Sequence, residues 1–275
     1  MLNCDKLKST ILPLAIGMAP ATILAGSYTL ITFAWSILIS TELTIFLQTP
    51  VSEGGYGFTP RQNAACKFSH YHVYVFTDSE TPSGVHTLTL ISIQVTFTIW
   101  VALIAAQVSG TLFNDRLPLW ASRRIGRNTW HPEYRLYSMI FPAMTSPIGL
   151  GIFGAGLQYH LHYMVLALGT FMVNFSALLC VPVCINYVVE CFVGYAVEVS
   201  VAMNMYRLAL GLALPFFFEQ WSQAVGIGWV FGMAAFFSLF GMMLMFLLGW
   251  KGQLFRELVI LRGIQETEEG KDIFA

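Results

Sequence analysis

The sequence predicts an all-α membrane protein with six transmembrane helices. Apolar residues make up 56% of the 275-residue chain and charged residues only 11%, and six long segments are almost free of charge. An average soluble domain carries roughly 25% charged residues. A soluble globular domain and a disordered chain are therefore excluded, in agreement with the mean hydropathy of +0.65.

The six apolar segments justify the helices in turn. They cover residues 9–41, 87–114, 136–159, 163–189, 199–218 and 220–250. A helix needs about 20 apolar residues to cross about 30 Å of hydrocarbon, and in lipid every backbone polar group must be paired within its own segment. Within a bundle over residues 11–250, we expect helices at about 14–40, 91–113, 136–157, 163–187, 199–218 and 226–250.

Lysine and arginine are distributed unevenly around these helices. Eleven lie before the first helix, between the second and third, or after the last, whereas Arg61 and Lys67 lie on the other side. Because cytoplasmic loops collect Lys and Arg, residues 1–10 and the tail 251–275 are predicted to be cytoplasmic. The sequence indicates an integral, multi-pass protein in the lipid bilayer, and leaves the plasma membrane and the vacuolar membrane as alternatives.

Residues 41–90 are predicted to form an outside loop, and its character changes near Cys66. We interpret residues 67–94, which are more polar, as a candidate translated intron. Cys66-Lys67-Phe68 can be encoded by a string containing the donor-like GTAAGT, and Gln94-Val95 by one containing an acceptor AG. Residues 95–113 are long enough to span a membrane alone, so the extra segment is expected to be a poorly packed loop.

A group of charged residues lies between the second and third apolar segments. The pattern consists of Gly110, Asp115, Arg116, Arg123, Arg124, Arg127, Glu133 and Arg135. Composition alone favours topogenic charge at a cytoplasmic boundary. The order of the residues favours a second interpretation, in which charges at neighbouring helix ends pair and hold a closed state.

This pattern resembles a known family signature. Gly110-x4-Asp115-Arg116 followed by Arg123-Arg124 is similar to the loop motif of the major facilitator superfamily, and the Pro132-Glu133-x-Arg135-Leu136 run resembles fungal transporters of that superfamily. Collinear similarities continue through Pro147-x-Gly149-Leu150, Phe153-Gly154, Asn186-Tyr187, Ala196-x-Glu198, Trp221, Gly226, Gly228-Trp229 and Gly232. The resemblance implies the C-terminal six-helix half of a twelve-helix transporter, whose substrate path lies between two halves.

That implication defines the expected partners and function. The partners are the lipid bilayer, an unidentified small-molecule substrate, and either a missing N-terminal half or a homodimer partner. The predicted function is transmembrane transport of a small solute as part of such a transporter. The alternative is a truncated, non-transporting membrane fragment that lacks the N-terminal helical half.

Five polar residues in or beside the apolar segments are candidates for substrate binding or gating. They are Asn174, Asn186, Glu190, Glu198 and Arg207. An intramembrane charge is expensive and indicates function by default. Two interpretations of Arg207 stay open. It binds an anionic group or pairs with Glu190 or Glu198, or it snorkels toward the cytoplasmic edge.

Other features receive simpler interpretations. Glu42 and Glu219 lie at the outside ends of helices and are interpreted as interfacial, which leaves no acid evident for proton coupling. The glycines at positions 149, 151, 154, 156, 228 and 232 are interpreted as helix packing contacts. No catalytic residue, metal site or cofactor is predicted, because Walker, dinucleotide and zinc-helix motifs are absent from the sequence. The protein is expected not to be an enzyme, and its net charge of −1 gives no basic field for nucleic acid.

Overall fold

The computed structural model describes residues 12–48, 84–124 and 132–257. Apart from a short helical segment at residues 12–17, these ranges contain six longer α-helices and one 3₁₀ helix, and no strand. They are α1 (Pro20–Gln48), α2 (Gly84–Arg124), the 3₁₀ helix (Pro132–Met139), α3 (Ile140–Gln158), α4 (Tyr163–Cys191), α5 (Ala196–Val225) and α6 (Ile227–Glu257). Six segments are long and apolar enough to cross a membrane, the third of them joining the 3₁₀ helix to α3. The predicted all-α membrane fold with six transmembrane helices is confirmed.

The helices extend further than the sequence predicted. Helix α1 continues to Gln48, and α2 runs from Gly84 to Arg124 rather than over residues 91–113. Part of the predicted outside loop 41–90 is therefore helical. The length of an uncharged segment indicates only how much of a helix lies within the hydrocarbon. The helix itself can continue into water, because its backbone hydrogen bonds are formed within the segment.

The candidate intron lies mostly outside the described residues. Residues 67–83 belong to the part of the chain that the structure does not describe, and residues 84–94 form the first turns of α2. Residues 84–94 are helical and so do not form a loop, whereas the expectation of poor packing stays a prediction.

Short turns connect the last four helices. The α3–α4 turn ends at His162, whose Nδ1 accepts a hydrogen bond from the Met164 amide at 3.4 Å. Gly194 lies between α4 and α5 with φ of 96°, and Gly226 lies between α5 and α6 with φ of 89°. Glycine lacks the Cβ that disfavours such left-handed conformations, so these two glycines allow the chain to reverse within a few residues.

Helices α1 and α4 form the centre of the bundle. Helix α1 packs against α4, α5 and α6, while α4 also packs against α2 and α3. One buried apolar cluster, around Tyr28, Val183 and Leu248, lies toward the end that carries the 3₁₀ helix. A second cluster, around Leu38 and Phe153, fills the other end.

Helices α2 and α5 are the least covered. Their most apolar windows are 17% and 28% buried, against 61% for α1 and α4. On α5, Leu212 and Phe216 are 75% and 82% exposed. Large apolar side chains are stable at such positions only against lipid or another apolar partner.

Candidate functional site

A line of polar side chains crosses the contact between the two central helices. The Ser36 hydroxyl of α1 donates a hydrogen bond to Asn174 Oδ1 of α4 at 2.8 Å, and Asn174 Nδ2 donates to the Thr170 carbonyl at 2.9 Å. Both side chains are buried. Asn174, a candidate from the sequence, therefore links α1 to α4, and Ser36 is a partner that sequence reasoning missed because it lies 138 positions away.

Arg207 lies on the side of α5 that faces α1. Its guanidinium carbon lies 4.5 Å from the centroid of the Phe33 ring. The Arg207 Nε atom is buried and has no hydrogen-bond partner among the described residues. Neither of the predicted acidic partners, Glu190 or Glu198, pairs with Arg207, and Phe33 was not anticipated from the sequence.

Glu190 pairs instead with Arg135. Arg135 Nε of the 3₁₀ helix lies 2.5 Å from Glu190 Oε1 near the end of α4. The two side chains are 24% and 23% exposed. The contact brings together two residues that the sequence had placed in different groups, one in the loop motif and one among the gating candidates.

Other contacts converge at this end of the bundle, which we call the 3₁₀ end. Glu133 approaches the backbone of Gly252 so closely that a Cβ there would lie 2.9 Å from Glu133 Oε1 and 3.2 Å from the Tyr187 hydroxyl oxygen. Ser138 donates a hydrogen bond at 3.1 Å to the Phe113 carbonyl of α2. The 3₁₀ helix thus contacts the ends of α2, α4 and α6, and Glu133 borders a cleft of about 340 Å³ beside α6.

The first part of the family motif is helical, which corrects the prediction of a loop. Residues 110–124 continue α2 without a break, with Pro118 inside the helix. A Cβ at Gly110 would lie 3.6 Å from Leu179 of α4, an ordinary contact distance. The segment stays helical because its arginines are good helix formers and its charged side chains can be solvated once they pass the membrane boundary.

The motif arginines on α2 point away from the bundle. Arg116, Arg123 and Arg124 are exposed. The Arg124 guanidinium carbon lies 5.7 Å from the Trp120 ring centroid. The side chain of Asp115 and all of Arg127 lie outside the described part of the molecule.

The remaining candidates take different positions. Asn186 is exposed on α4, and Glu198 is partly buried in the first turn of α5. Glu42, which the sequence analysis interpreted as interfacial, is only 6% exposed, and Glu219 of α5 lies near enough to act on it electrostatically. A buried acid is therefore present on α1, and sequence reasoning missed it because helix packing, not sequence position, covers the carboxylate.

The remaining polar groups give no metal or thiol site within the described residues. No three His, Cys, Asp or Glu side chains come together there. Cys180 and Cys184 are buried free thiols. Ser238 of α6 and Ser146 of α3 share a buried hydrogen bond at 3.0 Å, a contact that the sequence did not indicate.

Comparison with known proteins finds relatives that are similar to part of this chain. The MFS-type transporter atr4 of Stereocaulon alpinum is 32% identical over 130 residues, which are 47% of this chain and 23% of that protein. The MFS-type transporter oryF of Aspergillus oryzae is 29% identical over 168 residues, or 60% of this chain and 33% of oryF. The probable efflux pump mfs2 of Aspergillus flavus is 26% identical over 179 residues, which are 64% of this chain and 39% of mfs2.

Over the matched part, the chain is similar to proteins named as MFS-type transporters or efflux pumps. The match covers less than half the length of each of these relatives. That coverage and the six helices fit half of a twelve-helix bundle. No family model and no solved structure matches the chain.

Proposed function

We propose that the chain supplies one six-helix bundle of a transporter that moves a small solute across a membrane. The similarity to proteins named MFS-type transporters carries this proposal. Some relatives are named efflux pumps, which favours export as the direction. In such transporters two bundles rock about a site near the middle of the membrane, and the substrate shifts the balance between the two open states.

A second bundle is the partner that the geometry favours. The uncovered faces of α2 and α5 are apolar and flank the central pair α1 and α4. We propose that a further six helices, from the same polypeptide or from a second copy, pack on these faces and close the substrate path. Asn186 and Glu198, which the bundle leaves exposed or partly exposed, are then available to that path.

The chain alone is therefore expected not to transport. Purified chain would be reconstituted in liposomes loaded with carboxyfluorescein or rhodamine 6G, and dye release would be followed by fluorescence. Release should equal that of empty liposomes, because half of the cavity wall is absent. Co-reconstitution with the first six helices of the Stereocaulon alpinum relative should give saturable release of at least one dye.

Two results would contradict parts of this proposal. Saturable release from a chain shown to be monomeric would contradict the need for a second bundle. Failure of the paired assembly with both dyes, despite a stable complex on size-exclusion chromatography, would favour the non-transporting fragment instead.

We further propose that the 3₁₀ end faces the cytoplasm, because the arginine-rich part of the chain lies there. In a background with Cys4, Cys66 and Cys191 replaced by serine, a cysteine in place of the exposed Arg123 should react with a membrane-impermeant maleimide only after cells are permeabilised. A cysteine in place of Tyr159, which is 70% exposed at the opposite end, should react on intact cells. The reverse labelling pattern would overturn the orientation.

A further inference from the structure

Arg207 continues the buried stripe of α5. Met203 and Gly211 lie four positions on either side of it and are buried, as are Val199 and Leu214 further along the stripe. Residues at this spacing share one face of a helix. Arg207 therefore projects toward the interior of the bundle, away from the face that carries the exposed Leu212.

The position of Arg207 along the helix is close to the middle of the membrane. It is the twelfth residue of the span Ala196–Val225, which places its Cα about 16 Å from the start of the helix. Its guanidinium lies over Phe33, which is itself in the middle of the span Pro20–Leu43. A side chain that snorkelled to the cytoplasmic edge would leave this ring, so snorkelling does not describe Arg207.

The Arg207 charge lacks a counter-charge in the described part of the chain. No carboxylate there pairs with it, Glu190 is engaged by Arg135, and Glu198 lies nine residues earlier on the same helix. The Nε donor is buried and has no hydrogen-bond acceptor among the residues that the structure describes. The Phe33 ring covers one face of the guanidinium and stabilises the cation in part, but it accepts no hydrogen bond in the guanidinium plane.

We propose that Arg207 is the anchor of a binding site for a small organic anion, whose carboxylate pairs with the edge of the guanidinium. A planar guanidinium matches a carboxylate with two parallel hydrogen bonds. Phe33 holds the guanidinium plane in place, and the pairing neutralises both charges at membrane depth. This inference rests on the proposed transport function and specifies its substrate class as organic carboxylates.

Equilibrium binding to the full chain in lipid nanodiscs tests the proposal. The probes are radiolabelled benzoate and octanoate, with benzamide as the neutral isostere of benzoate. At least one carboxylate should bind saturably and benzamide should bind roughly 100-fold more weakly, because it cannot form the charged pair. Arg207→Gln should weaken carboxylate binding by a similar factor, and Arg207→Lys by roughly tenfold, because lysine keeps the charge but loses the planar fork.

A matched control removes a cation elsewhere. Lys251→Gln neutralises an exposed lysine at the end of α6 and should leave binding unchanged within about twofold, because the loss of a distant, screened charge changes a local pair little. If Arg207→Gln fails to fold, the comparison of benzoate with benzamide on the native chain and on Arg207→Lys still decides the question.

Several outcomes would overturn the inference. These are no saturable binding of either carboxylate, equal binding of benzoate and benzamide, or unchanged binding in a folded Arg207→Gln variant. Loss of carboxylate binding when the second bundle is added would show that another protein group supplies the counter-charge, and would also overturn it. Carboxylate binding without any flux would contradict the transport function alone, whereas flux of cationic dye without carboxylate binding would contradict only this inference.

Discussion

Replacing Gly169 with valine should prevent α3 and α4 from packing and should remove most folded protein. A Cβ at Gly169 would lie 3.0 Å from both the Gly149 carbonyl oxygen and the Phe153 amide nitrogen of α3. These are backbone atoms, so the clash cannot be relieved by rotating a side chain. Even Gly169→Ala should cost about 1–3 kcal/mol by overpacking, which outweighs the gain of up to about 1 kcal/mol in helix propensity.

Gly151 of α3 provides a matched control for this prediction. A Cβ there would meet no atom within 4 Å. Gly151→Ala should therefore be neutral or slightly stabilising, by up to about 1 kcal/mol. Thermal stability would be measured in detergent by the loss of the monodisperse peak on fluorescence-detected size-exclusion chromatography. Equal stability of Gly169→Ala and Gly151→Ala would show that the close α3–α4 approach does not exist.

Reversing one charge of the Arg135–Glu190 pair should loosen the 3₁₀ end. Either Arg135→Glu or Glu190→Arg places like charges where the native atoms are 2.5 Å apart. Because each side chain is about one quarter exposed, water offsets part of the repulsion, and we expect a loss of about 1–3 kcal/mol. The double swap should restore most of that stability, because it recreates an ion pair at the same place.

The reporter for this loosening is the native Cys191, which is partly buried at the end of α4. With Cys4 and Cys66 replaced by serine, its alkylation by a maleimide should be several-fold faster in Arg135→Glu than in the native chain. Glu219→Arg, a reversal of an exposed charge near the other end of α5, should leave the rate unchanged. An unchanged rate in Arg135→Glu, or a double swap as reactive as the single variants, would contradict a closing role for the pair.

These expectations distinguish a packing contact between two helices from an ion pair at one end of the bundle, for which we propose a closing role. The Gly169 contact joins α3 to the central helix α4, which also packs against α1 and α2. The Arg135–Glu190 pair instead joins only the 3₁₀ helix to the end of α4. Two charged side chains that are partly solvated can separate and pair again at modest cost, which is the property that a reversible closure requires.

The sequence predicted the glycines only in part. Gly149 and Gly154 are close to neighbouring helices, as expected, with a Cβ at Gly154 placed 2.5 Å from Phe231 Cβ. In contrast, a Cβ at Gly151 or Gly232 would meet no atom of the described residues within 4 Å. A glycine has no side chain and so leaves a groove on one face of its helix. Whether another helix packs into that groove depends on the rotation of both helices and on their crossing angle.

By itself, the sequence determined the class of protein, the number of helices and the membrane setting. These properties depend on local quantities, namely the length of uncharged segments and the composition on either side of them. It also indicated a resemblance to transporters of the major facilitator superfamily through the collinear motif from Gly110 to Arg135. The helix ends were less well predicted. Charged residues mark where a segment leaves the hydrocarbon, but the helix can continue beyond that boundary.

The tertiary structure alone decided the partners of the functional side chains. Ser36 and Asn174 are 138 positions apart, and Arg135 and Glu190 are 55 apart. Arg207 contacts Phe33 rather than either predicted acid, and Glu42 is buried despite its place near a helix end. Each of these outcomes depends on which faces of two distant helices meet, and that choice is made by the packing of the whole bundle rather than by any local pattern.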